Sequence, residues 1–188
     1  RTFNNASFTG TGVLGQTGGT MEFATNKTFV AGGPTLLLTG GIVTGAGNLT
    51  IDNALSLGGV TLQGAGTLNS SATSTTTLVG TPALSGKTWN QSGTLEIGGA
   101  HRVLIANSGV LNNLAGGVIN DTTTHGSPLE GNGSTATFTN TGTFNKNSAT
   151  TQHFNFDGFT NAAGGTFNIS SGTFQLTQGT ATDSGTYH

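Results

Sequence analysis

Few residues in this chain have side chains that could do chemistry, and the densest group of them is Glu96, His101 and Arg102. A carboxylate, an imidazole and a guanidinium can together contact a sugar or a protein partner. Glu96 lies between Leu95 and Ile97, so strand alternation predicts that it points outward, with His101 and Arg102 in the next turn. We therefore predict a surface contact at these three residues. The simpler alternative is a surface ion pair, worth less than about 1 kcal/mol.

A second group, Asp121, His125 and Glu130, falls in one irregular segment and could meet in a loop. The simpler interpretation is that these are polar residues on a solvated loop. The single tryptophan, Trp89, occupies a position that Leu or Phe fills elsewhere in the chain. We predict that it belongs to the core and does not stack on a sugar.

The chain as a whole is poor in ionisable groups: it has 5 Lys and Arg, 7 Asp and Glu, 4 His and no Cys among 188 residues. The histidines are isolated, whereas metal sites need clustered ligands, and no phosphate-binding loop, nucleophile elbow or zinc-protease motif occurs. We therefore predict no catalytic residue, no cofactor and no metal, and a protein that is not an enzyme. The net charge of −2, without a basic patch, argues against nucleic acid. The lack of a long apolar run argues against membrane insertion.

The dominant feature of the sequence is a repeat built on Gly, Thr and an apolar residue. GTFNI at 165–169 is echoed by GTFQL at 172–176, seven residues later. Apolar residues alternate with polar ones in many short runs, which is typical of β-strands. Similar apolar residues also recur at about 22 residues, roughly three times the short spacing.

These two spacings together predict an all-β fold, a parallel β-helix (β-solenoid). We expect three short strands per coil of about 19–24 residues and roughly eight coils, because coils stacked in parallel bury apolar faces that one strand cannot bury alone. Residues 1–188 are predicted to be a single β-solenoid segment, with irregular loops or widened coils near 71–88 and 120–135. An antiparallel β-sandwich is the main alternative, since it also has short strands at regular spacing.

The repeats resemble those of very large bacterial surface and secreted proteins, namely filamentous-haemagglutinin-like adhesins and autotransporter passengers. The segments that carry the resemblance are GAGNLTIDNALSLGGVTLQGAGTL (45–68), KTWNQSGTLEIGG (87–99), GVLNNLAGGVIN (109–120) and GFTNAAGGTFNISSGTFQL (158–176). The resemblance implies a parallel β-helix, export to the cell surface or beyond, and a structural or adhesive role as a stalk or fibre. It offers no catalytic residues.

The partners we expect follow from the repeat and from this resemblance. Gly185-Thr186-Tyr187 looks like the beginning of another coil, so we expect a segment of a longer array. Neighbouring solenoid segments or other copies would then meet it end to end, and host-cell or matrix glycans are the other expected partners. A carbohydrate-binding or carbohydrate-cleaving β-helix protein is the alternative function, and its hydrolytic form would need two facing carboxylates.

Overall fold

The computed structural model describes residues 1–132, 135–177 and 180–188. Within that part of the chain, short β-strands follow one another and no helix occurs. In chain order the strands are β1 (Thr2–Phe3), β2 (Val13–Gln16), β3 (Thr20–Phe23), β4 (Lys27–Phe29), β5 (Thr35–Leu38), β6 (Ile42–Thr44), β7 (Leu49–Ile51), β8 (Ala54–Leu57), β9 (Thr61–Leu62), β10 (Leu68–Ser70), β11 (Thr75–Leu78), β12 (Ala83–Ser85), β13 (Thr88–Gln91), β14 (Thr94–Ile97), β15 (Val103–Ala106), β16 (Val110–Asn113), β17 (Val118–Asp121), β18 (Leu129–Asn132), β19 (Thr137–Asn140), β20 (Thr143–Lys146), β21 (Thr151–Phe154), β22 (Gly158–Asn161), β23 (Thr166–Ile169), β24 (Thr173–Leu176), β25 (Thr180–Asp183) and β26 (Thr186–Tyr187).

Apart from β1, which pairs with β3, every third strand along the chain lies next to the last one in the same sheet. Sheet A has the order β1-β3-β6-β9-β12-β15-β18, sheet B β2-β5-β8-β11-β14-β17-β20-β23-β26, and sheet C β4-β7-β10-β13-β16-β19-β22-β25. The remaining pair, β21-β24, forms a separate small sheet. Its strands have the same place in the order of each coil that the strands of sheet A have in the earlier coils. Because neighbours within each sheet run parallel, as in β20 and β23, the fold is a parallel β-solenoid with three strands per coil and about eight turns, as predicted.

The repeated phrase at 165–176 is explained by this stacking. Its first half contains β23 of sheet B, and its second half contains β24, which lies on the next side of the same coil. Phe167 in β23 is the register partner of Phe144 one coil back and of Tyr187 one coil on. The two phrases are alike because each supplies an inward aromatic residue to a row that runs along the solenoid.

The core is made by the alternate residues of each strand that point into the coil. Inward Leu, Ile, Val and Phe side chains are almost wholly buried, and the phenylalanines gather in two clusters, one in the first coils and a larger one in the later coils. Trp89 is 0% exposed and its indole N–H donates to the Ser70 hydroxyl at 2.9 Å. Trp89 is therefore a core residue, as predicted, and Ser70 satisfies the one polar atom of the indole ring.

One interior row of side chains is polar. Asn113, Asn140 and Asn161 occupy register-matched positions at the ends of β16, β19 and β22, and all three are 0% exposed. The Asn113 amide donates to Asn140 Oδ1 at 2.7 Å, and the Asn140 amide donates to Asn161 Oδ1 at 2.9 Å. Each amide thus satisfies the next, so the row can remain inside the coil at low cost.

Two buried lysines stabilise the corners of the coil. Lys146 is 0% exposed and Lys87 is 3% exposed, and burial lowers the pKa of both. Each ammonium group donates to carbonyl oxygens of turns, which otherwise lack partners inside a corner. The acceptors are the carbonyls of Gln63 and Gly66 for Lys87, and those of Ser148 (2.5 Å), Thr150 (2.9 Å) and Ser171 (2.7 Å) for Lys146.

Turns of successive coils stack so closely that some positions accept only glycine. At Gly45 the φ angle is 124°, and a Cβ atom would lie 2.1 Å from the Phe23 carbonyl oxygen. At Gly66 a Cβ atom would lie 2.0 Å from the Gly47 carbonyl oxygen. Part of the high glycine content is therefore needed for close backbone approach between coils.

The two segments expected to be irregular loops or widened coils have different outcomes. Residues 71–88 contain β11 and β12, because threonines can form a strand and inward Thr76 takes the place of an aliphatic residue. In the segment 120–135, residues 122–128 connect β17 to β18 and have no strand structure. This loop is an insertion that widens its coil. More residues separate the register partners Leu111 and Phe138, on either side of it, than separate Leu36 and Leu55 in an earlier coil.

Candidate functional site

Glu96 lies on the outward face of sheet B, between the fully buried side chains of Leu95 and Ile97. Its Oε1 accepts a hydrogen bond from the Asn120 amide at 2.8 Å. Asn120 in turn accepts from the Asn145 amide at 2.9 Å, and Asn145 accepts from the Asn168 amide at 2.8 Å. The Glu96 carboxylate therefore ends an outward row of hydrogen-bonded amides that runs along sheet B.

Arg102 immediately precedes β15 of sheet A, so it belongs to a different side of the coil from Glu96. Its Nε lies 2.8 Å from Glu130 Oε2 in an ion pair, and its Nη1 contacts His125 Nε2. The structure thus joins Arg102 to two residues of the second predicted group and leaves Glu96 bonded to Asn120. His101 is half-buried, and its main-chain carbonyl accepts a hydrogen bond from the Thr123 hydroxyl at 2.7 Å.

The loop of residues 122–128, which we call the sheet-A loop, carries the remaining residues of the site. Ser127 is 3% exposed, and its hydroxyl lies 2.9 Å from Nε2 of His153 in β21. Gln152, also in β21, is fully buried and its amide donates to the carbonyls of Thr123 and His125, both at 3.3 Å. The sheet-A loop is thus held on one side by Arg102 and on the other by β21.

Ser127, His153 and Gln152 are the residues of this site that sequence reasoning missed. His153 follows its partner Ser127 by 26 residues, which is close to the separation between Arg102 and Glu130. Contacts in a solenoid join residues about one coil apart, so a search at about this separation would have found both contacts. The usable signal was the coil length, which is longer here than elsewhere because of the insertion.

Asp121, the third member of the second predicted group, is an interior residue of β17 and is 0% exposed. Burial raises the pKa of the Asp121 carboxyl to about 6. The Thr123 N–H, the Gln152 amide and the charge of Lys146 act in the opposite direction, but their combined effect is smaller. The Thr123 N–H donates to Oδ1 at 3.0 Å. Asp121 therefore lies beneath the sheet-A loop rather than in it, and it is separated from solvent.

The raised pKa of Asp121 predicts a specific pH dependence of stability. The folded chain holds this proton up to about pH 6, whereas the unfolded chain releases it near pH 3.8, so the stabilisation is complete below pH 3.8 and is lost as pH rises through about 6. Asp121→Asn should remove this slope and raise the free energy of unfolding at neutral pH by up to about 3 kcal/mol. Urea unfolding of both proteins from about pH 4 to about pH 7 measures the difference.

Asp157→Asn is the matched control for that experiment, because Asp157 is an exposed carboxylate in the same part of the solenoid. It should leave the pH dependence of the parent chain in place. Equal slopes for the parent chain and Asp121→Asn would contradict the role given to Asp121.

The described residues contain no group of three or more His, Cys, Asp or Glu that could hold a metal ion. A cavity of about 410 Å³ opens at the first coil, next to Arg1, Phe3 and Leu14. Its lining includes Met21, the end of β2 and the turn that joins β2 to β3, but no carboxylate side chain. The paired carboxylates that glycoside hydrolysis needs are therefore not present there.

Parallel coils, inward apolar rows and interior amides together define the chain as a β-solenoid repeat protein. No protein-family model, curated protein or solved structure matches this chain, so the class rests on the fold alone. In the part of the chain that the structure describes, no helix is long and apolar enough to cross a membrane.

Proposed function

We propose that this chain is a structural and adhesive segment of a large extracellular bacterial surface protein or filament, and that it is not an enzyme. The observation that carries the proposal is the stacking of parallel strands along the coil, which is continuous in sheets B and C and is interrupted on the third side between β18 and β21. A solenoid of this kind is suited to be a stalk because neighbouring coils are bonded to each other on at least two sides along its length.

The stiffness expected of such a stalk follows from the packing. The nine strands of sheet B, at about 4.8 Å per strand, span about 38 Å along the axis. Side chains as large as Trp89 and Phe138 fill the interior, and both are 0% exposed. A filled interior cannot collapse when the rod is bent, and the chain reaches this state without any disulfide.

The lateral surface supports a role in contacts with neutral, polar partners. Outward positions along sheets B and C carry mainly Thr and Asn, and the net charge of the chain is −2. Such a surface has little long-range attraction for charged polymers. It offers rows of hydroxyl and amide groups, which suit host-cell or matrix glycans.

The terminal strands suggest how neighbouring segments would meet this one. The N–H groups of Thr186 in β26 and of His188, which follows it, donate to carbonyls of the preceding coil. Parallel strands donate alternately to their two neighbours, so the Tyr187 N–H is directed away from the solenoid. A further coil, from the same polypeptide or from another copy, would pair with this edge and extend the rod.

The proposal of end-to-end assembly is tested by negative-stain electron microscopy over a range of protein concentrations. Rods of solenoid width should lengthen with concentration, because a head-to-tail contact does not close on itself. Tyr187→Pro removes the edge N–H and should abolish the fibres, whereas Tyr187→Phe keeps it and should not. Single short rods at every concentration, or fibres formed by Tyr187→Pro, would contradict end-to-end assembly.

The extracellular and adhesive parts of the proposal have their own tests. Antibodies against the chain should label intact cells of the bacterium that makes it, without permeabilisation. The purified chain should bind immobilised host-cell or matrix glycans, and high salt should not abolish this binding, since the surface is nearly uncharged. Labelling only after permeabilisation would contradict the surface location.

A second candidate, a carbohydrate-binding or carbohydrate-cleaving β-helix, is favoured by the grouping of Arg102, Glu130, His125 and His153 on one side of the coil. Guanidinium and carboxylate groups bind sugar hydroxyls, and histidine can move a proton. Arg102→Ala should then weaken binding to a polysaccharide, while Glu96→Ala, on sheet B, should not. Release of shortened sugar chains by the parent protein and not by Arg102→Ala would favour the cleaving form.

A further inference from the structure

The connections from sheet C to sheet B alternate in length along the solenoid. The strands on both sides of this corner are in register from coil to coil, so the connections stack in one row. The long turns are residues 30–34, 71–74, 114–117 and 162–165, and the short turns that follow them are residues 52–53, 92–93, 141–142 and 184–185. A long turn therefore recurs at every second coil, about 9.6 Å apart at about 4.8 Å per coil.

The long turns project from this corner, whereas the short turns lie close against the neighbouring backbone. Each long turn is closed by a main-chain hydrogen bond, such as the one from the Gly117 N–H to the Leu114 carbonyl at 2.8 Å. At Gly116, in the outer part of that turn, an added Cβ atom would meet no atom within 4 Å. At Gly142, in the short turn of the next coil, it would lie 2.3 Å from the Gly117 carbonyl oxygen. The corner is therefore serrated: projections and gaps alternate, and each is one coil wide.

The projections of this serrated corner expose large apolar side chains to water. Val30 is 50% exposed and Leu114 is 38% exposed, and each is the first residue of a long turn. Exposed apolar groups that recur at one place in a repeat favour burial against a partner. The four long turns contain no Asp, Glu, Lys, Arg or His, so two such corners can approach each other without charge repulsion between their projections.

We propose that the serrated corner is a contact surface for a second copy of this chain, which lies alongside the first. A second copy has the same repeat of about 9.6 Å, and its projections are as wide as the gaps. Displaced by one coil, it therefore presents a projection to each gap that it faces. If a two-fold axis relates the copies, both use the same surface, as is usual in dimers of identical chains. This goes beyond the proposed end-to-end assembly, because it joins rods side by side.

The size of the surface determines how strong this contact should be. From the first long turn to the last, the row spans about 29 Å along the axis, and it is only one turn wide. Stable complexes bury about 800 Å² on each partner, and smaller interfaces are typical of transient pairs. We therefore expect weak, rapidly exchanging pairs for this chain alone, and stronger pairing where rows of several linked segments act together.

Intermolecular paramagnetic relaxation enhancement tests the proposal, because it detects weak pairs. A nitroxide is attached at Ala115→Cys, since the chain has no other cysteine, and this copy is mixed with an isotopically labelled copy that has no nitroxide. Both copies also carry Tyr187→Pro, which blocks the end-to-end contact. At high protein concentration, amide signals of the short turns at 92–93 and 141–142 should lose intensity, whereas those of β15, on the opposite side of the coil, should not. No loss at the corner, or a loss only on other surfaces, would overturn the proposal.

The matched variants place a lysine at exposed valine or leucine positions on different corners. Val30→Lys combined with Leu114→Lys removes both apolar groups and puts like charges on two projections, so the signal loss at the short turns should disappear. Val79→Lys is the control, because Val79 is 47% exposed but lies between β11 and β12, at the corner between sheets B and A. It should leave the signal loss unchanged. Persistence of the loss in the double variant, or its disappearance in Val79→Lys, would count against the serrated corner.

The outcome is independent of the end-to-end proposal. With Tyr187→Pro in both copies, the signal loss reports side-by-side contact alone, whether or not the parent chain forms fibres. Fibres without this signal loss would support end-to-end assembly and overturn the side-by-side contact, and the reverse result would do the opposite.

Discussion

Replacing Phe154 with alanine should lower the free energy of unfolding by about 3–5 kcal/mol, the largest effect we expect from a single substitution. The Phe154 ring is 0% exposed and lies at the centre of the aromatic cluster in the later coils. Most of its ring contacts are edge-to-face, which add to the loss of buried area. Its neighbours are Phe138 (5.6 Å between ring centroids), Phe144 (5.6 Å), Phe156 (5.5 Å), Phe159 (5.7 Å), Phe167 (5.9 Å) and Phe174 (4.8 Å).

Urea unfolding followed by far-ultraviolet circular dichroism measures this effect. Phe154→Leu is the control, because it keeps most of the apolar volume and should cost clearly less than alanine. If both substitutions cost less than about 1 kcal/mol, the cluster would not be the packed core that the structure describes.

Asn140→Ala should lower the free energy of unfolding nearly as much, although it removes only a small polar side chain. The Asn140 amide donates to Asn161 Oδ1 and to the Thr166 carbonyl, and its oxygen accepts from Asn113. The substitution leaves these buried groups short of a partner, at about 1–3 kcal/mol for each group left unsatisfied. We expect a total loss of about 3–4 kcal/mol in the free energy of unfolding, by the same measurement.

Asn145→Ala is the matched control because Asn145 also donates to one ladder amide and accepts from another. Asn145 differs in facing outward, where water can replace a lost partner, so its substitution should cost less than about 1 kcal/mol. If the two substitutions lowered the free energy of unfolding equally, burial would not be what makes the interior row of amides more important for stability than the outward row.

The interior amides also explain why the strands pair in one register. A shift of one residue along a strand turns every inward side chain outward. In β19 such a shift would expose Phe138 and remove Asn140 from its partners Asn113 and Asn161. The apolar and amide rows therefore select the same alignment of neighbouring strands.

Sequence analysis predicted the architecture because the period of the pattern is the period of the fold. Alternation in runs such as 167–169 predicted strands, and spacings of about seven and about 22 residues predicted three strands per coil. The core position of Trp89 followed from its place in the same pattern. These features are local, and each one repeats often enough along the chain to be recognised without knowledge of any distant contact.

The segment 71–88 was predicted less well, for a reason visible at Thr76. The stretch 71–78 is rich in Ser and Thr and has Thr76 where other strands have an inward Leu, so it resembles a loop when considered alone. Pairing of β11 with β8 and β14 puts Thr76 between Leu55 and Leu95 and makes it a fully buried strand residue. The neighbouring coils decide this conformation, and single-segment patterns do not contain them.

By itself, the sequence determined that this chain coils into a β-solenoid with apolar rows inside and Thr and Asn outside. It also limited the chemically capable residues to a few. Only the tertiary structure decided that Arg102 pairs with Glu130 and His125, while Glu96 bonds to Asn120 on another face. The reason is geometric: such partners lie one coil apart, and the length of that coil is set by an insertion whose path depends on the contacts of the folded chain.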